Sequence, residues 1–415
     1  MALDFFRTMQ PESGLVRELA VLPPNGDSHL LWSVAADIGQ QAYSGERLAD
    51  DDYPLSLVGA CGARRADAFV RACGEAVERS ALLPARPLDD DPAAPMLRAP
   101  TLWRSGGAAH CTTYAAADLA TAARVRVPAA CVDYPVPDRD LLTRFDPSPS
   151  GAAAGPSRAA AVDAALREIL ERDAAMIAWA RQTRLPTLDP VAIANGTDRV
   201  AAQGMTRLLV AVERVGLTSV AGIAPTSVPG ADCVIAVVLD ADAQIAAAGL
   251  AVCDTTAAAA VKALQEALQV RTVLLGVAER YRDTPPPATV HSDLDRARLW
   301  ARPEAMAAME RWTGAFGPPA DPASLARDAD AARLDWAAAV PGAVVVDLTP
   351  RLPDPIRALG WHAVKVLAPR HQALRMSEYH DWTWNPRRLE MPERQWKLAC
   401  AVADCKVADH PHPFI

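Results

Sequence analysis

The sequence predicts an α/β chain of interleaved strands and helices, and three observations support that class. Alanine-rich helical patterns occupy residues 66–83, 157–182 and 256–281, with apolar side chains at the three- and four-residue spacing of one helix face. Short β-branched runs at 208–212, 233–239, 343–348 and 363–367 fall among them and read as strands. Proline clusters at 84–100, 135–156, 283–288 and 316–322 separate these elements, because proline fits neither a helix interior nor a central strand. Alternation of this kind defines an α/β or α+β chain with helices packed on mixed sheets. No internal repeat is visible, and the linkers are too short to mark a boundary. The chain reads as one domain over 1–415, with an N-terminal extension at 1–50, a core at 51–409 and a proline-containing tail at 410–415.

Composition narrows the function classes. Hydrophobic residues make up 51% of 415, enough for a large core. The net charge of -8 argues against a nucleic-acid surface, which needs basic side chains facing phosphates. No apolar run reaches the roughly 18 residues of a membrane span. The opening MALDFFRTMQPESG is acidic and is not a signal peptide. A soluble, cytoplasmic protein is expected. The 8 cysteines form no Cys-x-x-Cys pair, so they read as buried thiols of a reducing compartment rather than zinc ligands. No His-x-x-x-His pair or Gly-x-Ser-x-Gly motif occurs, which argues against zincin and serine-hydrolase chemistry.

Two acidic segments carry the functional signal. In Gly74-Glu75-Ala76-Val77-Glu78-Arg79, Glu75 and Glu78 share one helix face. Alone, such a pair reads as a solvated acidic face. Glu168-Ile169-Leu170-Glu171-Arg172-Asp173 repeats the pattern. Two such helices facing one another would converge four carboxylates, which need a cation. Mg2+ is the usual one, with waters and nucleotide phosphates completing its shell. The pattern therefore points to ATP chemistry. Before the second segment, Gly151 and Gly155 permit a tight turn and Ser157 fits a helix N-cap. Such a junction either presents backbone N–H groups to an anion or merely joins a loop to a helix. Gly59-Ala60-Cys61-Gly62 reads as a similar turn before the first helix, and neither turn is a Walker A loop.

Taken in order, these motifs resemble the YcaO family. The GEAVER helix, the SGAAAG turn leading to AALREILERDA, the helix AAAAVKALQEALQVR, the segment GWHAVKVLAPRHQAL and the closing HPHPFI all have counterparts there. The resemblance runs from about Ser13 to Ile415. It is closest to the subgroup that forms azoline rings. Departures are Ser150 where the family has Asn, Ala164 where Gln or His is frequent, Cys61 in place of a Lys, and Ile415 in place of a final proline.

The resemblance implies a YcaO fold around an internal ATP site, with ATP and Mg2+ as cofactors. Glu75, Glu78, Glu168 and Glu171 would hold the metal. Ser150, Arg172, Glu266 and Arg271 would join the four glutamates in binding nucleotide. Arg172, Pro413 and Ile415 would take part in catalysis, the last two through a docked tail whose carboxylate orients cations or acts as a base. The implied activity is ATP-dependent cyclodehydration of a ribosomal precursor peptide, converting Cys, Ser or Thr to thiazolines or oxazolines. The alternatives are a thioamide- or amidine-forming enzyme and a nucleotide-binding scaffold without catalysis. Implied partners are the precursor peptide and an E1-like, ThiF-like protein with a leader-recognition domain. An FMN dehydrogenase and a second copy of the chain are further candidates.

Overall fold

The computed structural model describes residues 3–39, 57–84, 88–108, 110–136, 138–320 and 335–415. Parts of the expected loops at 84–100, 135–156 and 316–322, and of the extension at 1–50, lie outside them. The described strands are β1 (Glu18–Leu22), β2 (Trp32–Asp37), β3 (Leu57–Gly62), β4 (Thr113–Asp118), β5 (Arg124–Pro128), β6 (Ala152–Gly155), β7 (Pro186–Leu188), β8 (Thr218–Pro225), β9 (Asp232–Asp240), β10 (Ile245–Val252), β11 (Gly317–Pro319), β12 (Val344–Asp347) and β13 (His362–Leu367). Among the described residues, four helices are long: α1 (Arg65–Leu82), α2 (Arg158–Ala180), α3 (Arg199–Arg214) and α4 (Thr256–Arg280). The mixed α/β class expected from the sequence is therefore the one observed.

The chain divides into two compact units. The first comprises Met1–Pro23, Trp32–Ile169 and Asp335–Arg375, and the second Pro24–Leu31, Leu170–Leu334 and Met376–Ile415. The division falls inside α2, so the first half of that helix belongs to one unit and the second half to the other.

The first unit contains two sheets, in orders β1-β2-β3 and β5-β4-β12-β13-β6. Its core gathers Ala72, Ala76 and Val77 of α1 with Val344, Val346 and Ala363 of the second sheet. Small residues on α1 allow it to lie close to β6. Gly155 ends β6, paired with His362, and a Cβ there would stand 3.1 Å from the Ala161 amide nitrogen. Gly155 therefore serves close packing. Gly151, at φ +82°, makes the turn.

The segment at 59–62 was expected to be a turn. It is the body of β3, with Ala60 opposite Val34 and Cys61 opposite Ser33. Its glycines admit neighbouring backbone: a Cβ on Gly59 would meet the Val34 oxygen at 2.4 Å. Alternating burial of Val58 and Ala60 is the strand signal that the glycines obscured.

The second unit is built on the sheet β10-β9-β8-β7-β11, antiparallel except for β11 on β7. The run at 208–212, read as a strand, lies inside α3. Ala201, Met205, Leu208 and Val212 are its buried positions, spaced as a helix stripe, and Asp198 caps it by accepting from the Val200 and Ala201 amides at 3.0 and 3.1 Å. Local β-propensity was overridden by that longer period and cap. Helix α4 crosses β10 closely at Gly249, where a Cβ would lie 2.2 Å from the Ala263 oxygen and 2.3 Å from the Ala267 nitrogen.

Backbone cannot retreat as a flexible side chain can. A Gly249→Ala substitution is therefore expected to destabilise the chain by about 1–3 kcal/mol, the usual range for overpacking. Thermal denaturation checks this; an unchanged melting temperature would show that α4 and β10 are free to separate.

Candidate active site

Helix α1 places Glu75 and Glu78 one turn apart on a half-buried face. The Arg79 Nε donates to Glu75 Oε1 at 2.7 Å, and its guanidinium lies over the Tyr134 ring at 5.8 Å. The end of α1 is clamped by Arg351, which donates to the carbonyls of Ala81 and Leu82 and pairs with Asp133 at 2.8 Å.

Helix α2 begins as the sequence predicts. The Ser157 hydroxyl accepts from the Ala160 amide at 3.1 Å. Eleven residues after Ser157, in the same unit as Glu75 and Glu78, Glu168 accepts from the Gly151 N–H at 3.1 Å. The turn amide thus holds a carboxylate of the protein itself.

Glu78 sits in the field of both Glu75 and Glu168. Burial first, then these two like charges, push its carboxyl well above the ordinary range, with Arg79 and Lys365 opposing. Lys365 belongs to neither Glu-x-x-Glu-Arg motif in the sequence. It occupies β13 at 1% exposure. Its ammonium donates to the carbonyls of Ser148 and Ser150 at 2.6 and 2.7 Å. Burial pushes its pKa down to about 8, while Glu168 and Glu78 favour the charged form. Its signal in the sequence was one charged residue inside an apolar strand run.

The second unit holds the other group of expected residues. Arg172 lies 3.8 Å from Glu171 and 3.9 Å from Glu266. The Val252 amide donates to Glu171 at 3.3 Å. Beneath them, the Cys233 thiol is raised well above its ordinary value, by burial first and by Glu171 among its neighbours. Arg271 does not join this cluster. It is 5% exposed, pairs with Asp240 at 2.6 Å and donates to the Asp27 carbonyl at 2.8 Å.

The tail also belongs to this unit. Trp179 donates to the His410 carbonyl at 3.0 Å, and Trp300 and Arg296 both donate to that of His412 at 3.0 Å. Phe414 is 2% exposed, Pro413 is buried and Ile415 is half-buried. Trp179 follows Glu171 by eight residues, about 12 Å along the helix axis. The tail is therefore anchored to the helix that carries Glu171 and Arg172.

Among the described residues, no three His, Cys, Asp or Glu side chains stand ready to hold a metal ion. The first unit nevertheless fits Mg2+ in chemistry. Its donors are hard carboxylate oxygens, and the raised Glu78 carboxyl reports negative charge that a cation would relieve. Mg2+ bound by few carboxylates keeps several waters and takes phosphate oxygens, so a closed protein cage is not required.

Among the described residues, no helix is long and apolar enough to cross a membrane. A family model described as YcaO cyclodehydratase, ATP- and Mg2+-binding, matches residues 107–372, more than half of the chain. The class is that of ATP- and Mg2+-dependent enzymes. The chain belongs to the YcaO family. No curated protein matches it. Among solved structures it resembles YcaO from Methanopyrus kandleri bound with AMPPCP and Mg2+, at 19% identity and a TM-score of 0.61, covering 88% of each chain. It also resembles a heterocyclase in complex with substrate and cofactor, at 16% identity and a TM-score of 0.66, covering 99% of this chain and 56% of that one. The E. coli microcin synthetase McbBCD complex with pro-MccB17 bound gives 12% identity and a TM-score of 0.62, covering 88% and 92%. At these identities the likenesses establish the fold.

The Glu78 carboxyl yields a prediction about stability. Its folded pKa lies above the unfolded one. Its protonated form therefore favours folding below about pH 4.5, and this contribution is lost as pH rises through the folded value. Glu78→Gln stays neutral throughout. Without Mg2+ or nucleotide, the variant is expected to melt higher than the wild type at pH 8, by roughly 2 °C or more, with the gap closing toward pH 4.5. Thermal melts across that range check it; equal melting temperatures at pH 8 would remove the electrostatic account.

Proposed function

We propose that the chain is an ATP-dependent cyclodehydratase that forms thiazoline or oxazoline rings in a ribosomal precursor peptide. The observation that carries this reading is the Glu75, Glu78 and Glu168 cluster, whose concentrated negative charge matches the ATP- and Mg2+-binding family of the chain. The ring-forming chemistry draws support from the fold shared with a heterocyclase in complex with substrate and with a microcin synthetase bound to pro-MccB17. The docked tail is consistent with it.

In this reading Glu75, Glu78, Glu168 and Glu171 hold Mg2+, which, when bound, neutralises phosphate charge. Ser150 and Glu266 help to place the nucleotide, and Arg172 contacts phosphate oxygens. A guanidinium suits that role because it stays charged and offers paired donors in a fixed plane. Arg271, paired with Asp240, fixes the helix that carries Glu266. A Cys, Ser or Thr side chain of the peptide attacks the preceding carbonyl carbon. The amide oxygen then takes the ATP γ-phosphoryl group and leaves as phosphate, so each ring removes one water overall. The protein contributes positioning and electrostatic stabilisation. Pro413 and Ile415, on the anchored tail, shape the place where the peptide reacts. Recognition of the peptide's leader is assigned to a ThiF-like partner.

Incubation with ATP, Mg2+, a precursor peptide and its ThiF-like partner tests this. The peptide should lose the mass of one water per ring while phosphate accumulates. Arg172→Ala should lower peptide-dependent phosphate release about 100-fold or more, and Glu78→Ala and Glu171→Ala should abolish it. Wild-type turnover in the glutamate variants would show that the site is elsewhere. A product that exchanges oxygen for sulfur would replace ring formation with thioamide formation.

A further inference from the structure

We propose that Lys365 is a positioning residue for Mg-ATP, acting through the Ser148–Gly151 turn that it ties to β13 and through the carboxylate that this turn holds. The inference rests on the proposed metal and nucleotide roles of Glu168 and Ser150, and it assigns a task to a residue outside both Glu-x-x-Glu-Arg segments.

The turn is attached at every step. Lys365 donates to the carbonyls of Ser148 and Ser150 at 2.6 and 2.7 Å. The Val366 amide donates to the Gly151 carbonyl at 2.7 Å. The Gly151 N–H then donates to Glu168 at 3.1 Å. Peptide planes are rigid, so holding the carbonyls of 148, 150 and 151 fixes where the Gly151 N–H points. The carboxylate it bonds is fixed in turn. Gly151 is needed on two counts: its φ is +82°, and a Cβ would stand 2.5 Å from the Val366 oxygen.

A lysine is a costly choice for a purely structural tie. At 1% exposure its ammonium is almost fully desolvated, and an apolar side chain would suit the strand better. It is retained where Glu78 and Glu168 both lie within its field. The two carbonyl bonds leave a third ammonium hydrogen, and the net positive charge sits behind the turn, where it offsets the carboxylates. Lys365 thus sets the position of Glu168 and of Ser150 together.

Calorimetric titration of the full chain with AMPPCP at fixed Mg2+, and with Mg2+ at fixed AMPPCP, tests the proposal. Lys365→Met is expected to weaken AMPPCP binding at least 10-fold. Val364→Ala, equally buried one residue away and outside the turn, is expected to lower the melting temperature but leave binding unchanged. If Lys365 were only structural, both variants would lower stability and neither would lose affinity. Should Lys365→Met fail to fold, Gly151→Ala decides, because it displaces the same turn from β13; native affinity in that variant overturns the proposal. Glu168→Gln separates this from the site assignment. Lost affinity in Glu168→Gln with native affinity in Lys365→Met overturns the role of Lys365 alone, whereas native affinity in both overturns the metal and nucleotide site itself.

Discussion

The crowding of like charge around Glu78 is the constraint on which the first unit depends. Glu75 and Glu168 both raise its carboxyl, in a setting where water cannot fully screen them. A chain that folds with this arrangement must supply compensation, and it does so in two ways. Arg79 is committed to Glu75 through an i,i+4 bond. Lys365 comes from a strand far away in sequence. Lys365 is buried and Arg79 is half-buried. The remaining negative charge is what makes the site useful to a divalent cation.

In the second unit the constraint is close packing. Gly249 lets α4 lie against β10, with the Glu266 Cβ 2.8 Å from where a Cβ on Gly249 would stand, and Glu266 lies 3.9 Å from Arg172. The second half of α2 then serves as an anchor for the last forty residues. Arg388 pairs with the buried Asp173, Arg181 donates to the carbonyls of Leu389 and Val402, and Trp179 holds His410. Asp173 is adjacent to Arg172. The contacts that dock the C-terminal segment therefore also fix the rotation of the helix that presents Arg172 and Glu171.

Much of this was legible in the sequence, for physical reasons. Long helices announce themselves by period and cap, as Ser157 and the 157–182 pattern did. Strands at 233–239, 343–348 and 363–367 stood out because β-branched residues fill both faces of a buried sheet. Shorter signals failed. Five residues at 208–212 cannot distinguish a strand from the buried stripe of a longer helix. Glycines at 59 and 62 looked like a turn because the sequence does not reveal what approaches a missing Cβ. Lys365 gives no sequence signal of a site, since a lone charge in a strand carries no motif. Arg271 matched the motif, yet the partner that claims it, Asp240, lies on a different element and was invisible from spacing.

The spacing between Gly151 and Glu168 has a geometric origin that a list of motifs conceals. After Gly151 the chain runs outward through the four residues of β6, about 13 Å at the usual strand rise. It then turns at Pro156 and Ser157 and returns as α2. From Arg158 to Glu168 the helix climbs about 15 Å. Outward and return paths are nearly equal, so Glu168 arrives beside the turn amide from which the segment set out. One residue more or less in the helix would rotate the carboxylate by about 100° and shift it about 1.5 Å, off the Gly151 N–H.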